Sequence, residues 1–174
     1  MYKKNNVLSS TIVEKGTMKI EIQRWKWERV YKIDRGAQLK GRSSIYQALK
    51  KSCRNRWGRF GCYAWKIGRS VRYIGSFSRD YESKQHKTNL EGRVHNYWYN
   101  HGNGSTNKLV FDRIKKAATK SSVTLCVLRP GKIKIDSKYL SKNYSQSPDM
   151  VLLIERLLLY YHRTLGKKKL WNRK

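Results

Sequence analysis

An α+β fold is expected here: a small antiparallel or mixed three-stranded sheet flanked by helices, with a basic N-terminal extension. Three observations predict it. Two β-rich runs, Phe60-Gly-Cys-Tyr-Ala-Trp-Lys-Ile67 and Val71-Arg-Tyr-Ile-Gly-Ser-Phe77, lie back to back around Gly68-Arg69-Ser70. Later segments carry apolar residues at three- and four-residue intervals, the period of a helix with one buried face. Between those helical segments sits Val123-Thr-Leu-Cys-Val-Leu128, a buried strand stopped by Pro130-Gly131.

In chain order, Thr11 to Val13 and Met18, Ile20, Ile22 alternate around Glu14-Lys15-Gly16, which predicts a hairpin. Trp25, Trp27, Tyr31 and Ile33 continue the alternation until Arg35-Gly36 and Lys40-Gly41 break it. A helix starts at Ser43 or Ser44, whose hydroxyl can cap it, with Ile45, Leu49 and Cys53 inward and Gly58 as its stop. Residues 1–57 are read as a basic lobe and residues 58–174 as a second unit. After the two strands, residues 78–88 form a polar loop. The next helix begins near Asn89, with Leu90, Val94, Tyr97 and Trp98 as its apolar stripe and Gly102 at its end. Asn107 caps a third helix with Leu109, Val110, Ile114, Ala117 and Ala118 inward. Lys132 to Asp136 alternate weakly. Ser147-Pro148-Asp149 starts the last helix, which runs to about Leu165 and stops at Gly166. From residue 58 the order is strand, strand, helix, helix, strand, helix.

The chain's 174 residues hold 40 Lys+Arg against 11 Asp+Glu, a net charge of +29. Such a charge calls for a polyanionic partner, because Lys and Arg that neutralise phosphates release condensed counterions. The basic residues are interleaved with periodic apolar ones rather than confined to low-complexity tails, and no basic amphipathic stretch has the wide apolar face of a membrane-surface helix. Nucleic acid is therefore the expected partner and no membrane is. The three cysteines, Cys53, Cys62 and Cys126, lack zinc-ligand spacing and are an odd number for a disulfide framework. They are expected as reduced core thiols in a cytoplasmic setting. The opening residues hold no apolar signal region, and no run of apolar residues reaches membrane-spanning length.

Glu155, within Met150-Val-Leu-Leu-Ile-Glu-Arg-Leu-Leu-Leu-Tyr160, is the side chain that most needs a reason. A carboxylate among so many leucines must find a cation or hydrogen-bond donors. The helix alone leaves open a buried ion pair, most simply with a core-facing Arg, and a metal ligand. Arg93 shares a stripe with Leu90, Val94 and Tyr97, so it either pairs structurally, with Glu155 as one candidate partner, or presents its planar fork to a phosphate. His95 points elsewhere, to solvent or a cap. Tyr63 and Tyr73 are ordinary half-buried strand aromatics taken singly, but a phenol beside cations can exchange protons. His162, two turns beyond Glu155, is placed on the surface near the helix end.

These residues, in this order, resemble the GIY-YIG nuclease superfamily. The first motif reads Gly61-Cys62-Tyr63, with Cys62 where Ile is usual, and the second Tyr73-Ile74-Gly75. Arg93 matches the family Arg on the next helix; Arg79 is a rival, disfavoured because it precedes a polar loop. Tyr97 lies one turn beyond Arg93, Glu155 matches the metal-binding Glu of the last core helix, and Asn172 matches a late Asn. The resemblance covers about residues 58–174 and implies a magnesium- or manganese-dependent DNA endonuclease, of restriction, phage or mobile-element type, cutting double-stranded DNA. It implies that Tyr63 takes a proton from water, with its phenolate favoured by neighbouring cations. It further implies that Arg93 stabilises the phosphoryl oxygens, that Glu155 holds one metal ion, and that Tyr73 and Tyr97 position phosphate or water. Lys50, Lys51, Arg54 and Arg56 in the first 57 residues are the expected DNA grip, beside Trp25 and Trp27, which more simply fill a small core. A double-strand break by single active sites calls for a homodimer, a higher oligomer or successive nicks. The alternatives are a non-enzymatic basic nucleic-acid-binding module, in which Glu155 pairs with Arg93, and a structure-specific repair nuclease.

Overall fold

A computed structural model describes residues 8–15, 18–40, 43–54, 57, 60–78, 89–99, 105–129, 132–137, 141–145, 150–167 and 169–172. Gly58, Arg79 and the rest of the polar loop, Gly102, Pro130-Gly131, Ser147-Pro148-Asp149 and Arg56 lie outside the described residues.

The fold is α+β. Strands β1 (Leu8–Lys15) and β2 (Met18–Ile33) precede helix α1 (Ser44–Cys53). Strands β3 (Phe60–Ile67) and β4 (Ser70–Ser78) form the expected hairpin, followed by α2 (Leu90–Tyr99) and α3 (Thr106–Ala118). Strands β5 (Val123–Arg129), β6 (Lys132–Ser137) and β7 (Ser141–Ser145) lead to α4 (Val151–Tyr160), which continues as a wider π-helical turn over Tyr161–Leu165. Ser43 caps α1 by accepting from the Tyr46 amide, and Asn89 Oδ1 accepts from the Gly92 amide at the start of α2. Ser105 caps α3, two residues ahead of the expected Asn107, with its hydroxyl on the Lys108 amide.

Strand order is β4-β3-β5-β2-β6-β7, with β1 also on β2, and each neighbouring pair is antiparallel. The expected three strands, β4, β3 and β5, are therefore extended by β2, whose C-terminal half pairs with β5 from Lys26↔Arg129 to Ile33↔Val123. Residues of the first 57 thus share a sheet and a core with those that follow. Ile33, Leu39, Tyr46, Leu49, Cys53 and Trp57 belong to the same buried cluster as Trp65, Phe77, Val94 and Ile114. The physical reason is that β5, buried on both faces, needs a hydrogen-bonded neighbour on each side, and β2 supplies the second.

Alternation along the central strands divides the core. Tyr63, Trp65, Tyr73 and Phe77 face α1, α2 and α3. Cys62, Ala64 and Ile74 face α4, against Val151, Ile154, Leu157 and Leu158. One irregularity matters below: Tyr73 pairs with Trp65 and Val71 with Lys66, so Arg72 is an extra, bulged residue. Cys53, Cys62 and Cys126 are free and buried. Among the described residues no helix is long and apolar enough to cross a membrane.

Candidate active site

Tyr63, Tyr73 and Tyr97 converge on the face of β3 and β4 covered by α2. The Tyr63 and Tyr97 hydroxyls share a short hydrogen bond. The ring of Tyr73 meets that of Tyr97 edge-on at 6.2 Å between centroids, and the Tyr63 and Tyr73 centroids are also 6.2 Å apart. Tyr63 and Tyr97 are each 2% exposed and Tyr73 is 9% exposed, so Tyr73 is the most accessible of the three. Gly75 makes the convergence fit. A Cβ there would stand 2.6 Å from the Tyr63 hydroxyl oxygen and 2.7 Å from the carbon bearing it.

Burial decides the ionisation of these phenols. Tyr63 is pushed well above the usual tyrosine range, first by desolvation and then by Tyr73; Arg93 and the Tyr97 hydrogen bond pull the other way without winning. Tyr97 is likewise raised, and Tyr73 is raised by burial against the pull of Tyr97, Tyr63 and Arg93. Burial therefore opposes the phenolate expected at Tyr63, because the side chain sits in the core rather than among the surface lysines.

Arg93 rises from α2 beside Val94 and Tyr97, half-buried, and its Nε is buried with no hydrogen-bond partner among the described residues. Its positive charge acts on Tyr63, Tyr73 and Glu155. Glu155, half-buried on α4, accepts a hydrogen bond at 2.5 Å from the Ser76 hydroxyl on β4. Desolvation raises its carboxyl above the ordinary range in spite of Ser76, Arg93 and Arg156. Ser76, the direct partner, was not singled out from sequence; it is next to Tyr73-Ile74-Gly75, and only the packing of α4 on β4 brings it to Glu155.

No group of three or more His, Cys, Asp or Glu side chains gathers among the described residues. A divalent cation here would rest on Glu155 with water and substrate oxygens completing its shell, which suits magnesium, a cation that keeps several waters. The hydrogen bond from Ser76 to Glu155 Oε2 orients the carboxylate for such a cation.

Asn172 has a different place. Its Oδ1 accepts from the Ile74 amide at 3.1 Å and its Nδ2 donates to the Ile74 carbonyl at 2.6 Å. The Trp171 amide donates to the Arg72 carbonyl at 2.5 Å, and Arg163 donates to the Asn172 carbonyl at 2.9 Å. Residues 169–172 thus pair with the otherwise open edge of β4, and Asn172 holds the backbone of the second motif.

Of the expected grip on α1, Lys50 and Arg54 reach Glu91 of α2 at 3.6 and 3.2 Å, whereas Lys51 is exposed. His95 is exposed, with Nδ1 hydrogen-bonded to the Tyr46 hydroxyl at 2.9 Å. His162 falls in the π-helical turn and is half-buried. Comparison of the chain with protein-family models, curated proteins and solved structures finds no match.

Proposed function

We propose that this protein is a metal-dependent endonuclease that hydrolyses DNA phosphodiester bonds beside β4, with α2 on one face of the sheet and α4 on the other. The observation that carries the reading is the grouping of a three-phenol cluster, a guanidinium with a buried unpartnered Nε, and a desolvated carboxylate, within one electrostatic neighbourhood. The net charge of +29 supports a polyanionic substrate.

Phosphodiester hydrolysis needs a positioned water, positive charge on the phosphoryl oxygens and help for the leaving oxygen. Arg93 meets the second need: the fork of its half-buried guanidinium suits phosphoryl oxygens and keeps its charge throughout. A divalent cation held by Glu155 would polarise the phosphate and stabilise the leaving 3′ oxygen. Tyr73, the most accessible phenol, is placed to meet the attacking water, with Tyr97 and Tyr63 behind it as hydrogen-bonded support. Tyr63 supports the cluster through its hydrogen bond with Tyr97 and orients it. Ser76 keeps the Glu155 carboxylate in one rotamer.

The test is supercoiled plasmid incubated with wild type, Glu155→Gln and Arg93→Ala, each with magnesium and with EDTA. The expected result is magnesium-dependent nicking or linearisation by wild type and a loss of about a hundredfold or more in each variant. Cleavage by Glu155→Gln at the wild-type rate would remove Glu155 from the site. Retarded but uncut plasmid in every lane would replace the nuclease with a binding module.

A further inference from the structure

On the α3 side of the sheet edge, a cleft of about 490 Å³ opens between the β3–β4 hairpin, α3 and the C-terminal segment. Its cationic lining is Arg72, Arg113, Lys116, Lys120 and Lys169, and no acidic side chain lines it among the described residues. Its apolar lining is Ile67, Ala117, Leu170 and Trp171. The cleft is built by specific features. Arg72 is the bulged residue of β4, and a bulge re-aims its side chain away from the regular alternation. Its Nε is buried with no hydrogen-bond partner among the described residues. Arg113 and Lys116, three residues apart, and Lys120, four further on, stand on one side of α3 and its end. Arg113 donates to the Trp171 carbonyl at 3.1 Å, which fixes the indole segment opposite the cations. The Trp171 ring is half-buried against the core, so one part is anchored while another lines the cleft.

We propose that this cleft holds one nucleotide unit of a bound nucleic-acid strand, with its phosphate among Arg72, Arg113, Lys116 and Lys120 and its base against Trp171. The proposal rests on the nuclease reading for its choice of a nucleic acid over another anion. The volume suits a nucleotide, within the usual range of small-ligand sites. Guanidinium forks suit phosphate oxygens, and an indole face suits a base whatever its identity. A second cleft of about 540 Å³, lined in part by Leu39, Lys40, Lys115 and Lys116, adjoins it through the shared Lys116 and continues the positive track along α3. The grip on the strand therefore lies on α3 and the C-terminal segment, against the α1 lysine and arginine cluster expected from sequence, whose Lys50 and Arg54 are engaged by Glu91.

The experiment measures binding of fluorescein-labelled duplex and single-stranded oligonucleotides by anisotropy, in EDTA so that cleavage is separate, over a series of salt concentrations. Three proteins are compared: wild type, Lys116→Glu/Lys120→Glu, and Arg29→Glu/Lys32→Glu, which changes net charge equally at exposed β2 positions that line neither cleft. Circular dichroism and thermal melting confirm that each is folded. The expected result is a loss of about tenfold or more in affinity for the α3 pair beyond that of the other pair, with a salt slope shallower by roughly one to two. Trp171→Phe keeps most of the affinity and Trp171→Ala loses it. Equal losses in the two double variants, or wild-type affinity in the α3 pair, overturn the cleft assignment, as does a wild type that binds neither oligonucleotide. Parallel plasmid assays with magnesium separate the two readings. A wild type that binds through the α3 pair yet never cuts keeps the cleft and removes the nuclease. A wild type that cuts while the α3 pair binds normally removes the cleft alone.

Discussion

Gly75 on β4 lies directly beneath the Tyr63 ring, so close that a Cβ at position 75 would sit 2.6 to 2.9 Å from three atoms of that side chain. The two residues belong to neighbouring strands and are paired in the ladder, Tyr63↔Gly75. The missing side chain lets the phenol lie across the strand and carry its hydroxyl to Tyr97. The glycine of the second motif is thus required by the tyrosine of the first.

Gly75→Ala is expected to destabilise the protein by about 1–3 kcal/mol through overpacking, lowering Tm by roughly 2–10 °C. In a Tyr63→Ala background the same change should cost far less, because the clashing ring is gone. A thermal-melting double-mutant cycle checks this; equal costs in both backgrounds would show that the strain lies elsewhere.

Glu155→Gln should trade activity for stability. The carboxyl is raised in the folded state by desolvation, so its contribution is fully present below the ordinary carboxylate pKa, where it is protonated, and is lost as pH rises through the folded value. At neutral pH the neutral amide avoids that loss while still able to accept from Ser76. Tm should be unchanged or up by roughly 2–4 °C, the equivalent of about 1 kcal/mol, and the difference should vanish at acid pH. A marked fall in Tm at neutral pH would reveal a buried ion pair broken by the substitution.

The phenol cluster should make the fold sensitive to alkali. Tyr63, Tyr73 and Tyr97 are raised above the usual value, so their contribution is present below pH 10 and is lost as pH climbs through their folded pKa values. Absorbance titration at high pH should show these phenols, among the chain's 12 tyrosines, ionising only as the protein unfolds. Tyr63→Phe should shift that unfolding to higher pH. Reversible titration of every tyrosine with the native fold intact would contradict the burial assigned to them.

Asn172→Ala removes two hydrogen bonds to the Ile74 backbone and should cost about 1–2 kcal/mol. Asn172→Asp should do no better, because it keeps the acceptor for the Ile74 amide but faces the Ile74 carbonyl with a second oxygen instead of a donor. Urea unfolding of the two variants measures this. Unchanged stability with lost cleavage would instead put Asn172 on the substrate.

The parts of the fold that were legible in the sequence are those set by neighbours in the chain. The β3–β4 hairpin, the inward stripe Leu90, Val94, Tyr97 and Trp98 of α2, and the buried β5 all follow from local periodicity and turn residues. The cap of α3 is Ser105 instead of the expected Asn107, a choice set by backbone geometry at the helix start. Strand β7, Ser-Lys-Asn-Tyr-Ser, has no apolar alternation and is defined by its pairing with β6. In the candidate site, Tyr63, Tyr73, Arg93 and Glu155 were visible as residues out of place on their elements or through the family resemblance. Ser76, Arg72 and Trp171 were not, since a serine in a strand, an arginine among 40 basic residues and a tryptophan in a basic tail carry no local signal.

By itself the sequence determined the order of the central elements, the net charge of +29 and the identity of the carboxylate embedded in an apolar helix. Those properties depend on composition and on spacing within a single element. Only the tertiary structure decided that β2 joins β5, that Glu155 is held by Ser76, that Tyr63, Tyr73 and Tyr97 are buried together and that the C-terminal segment completes the edge of β4. Each depends on two segments far apart in the chain meeting in space. Desolvation, hydrogen-bond partnership and close packing are properties of that meeting, and no stretch of sequence contains them alone.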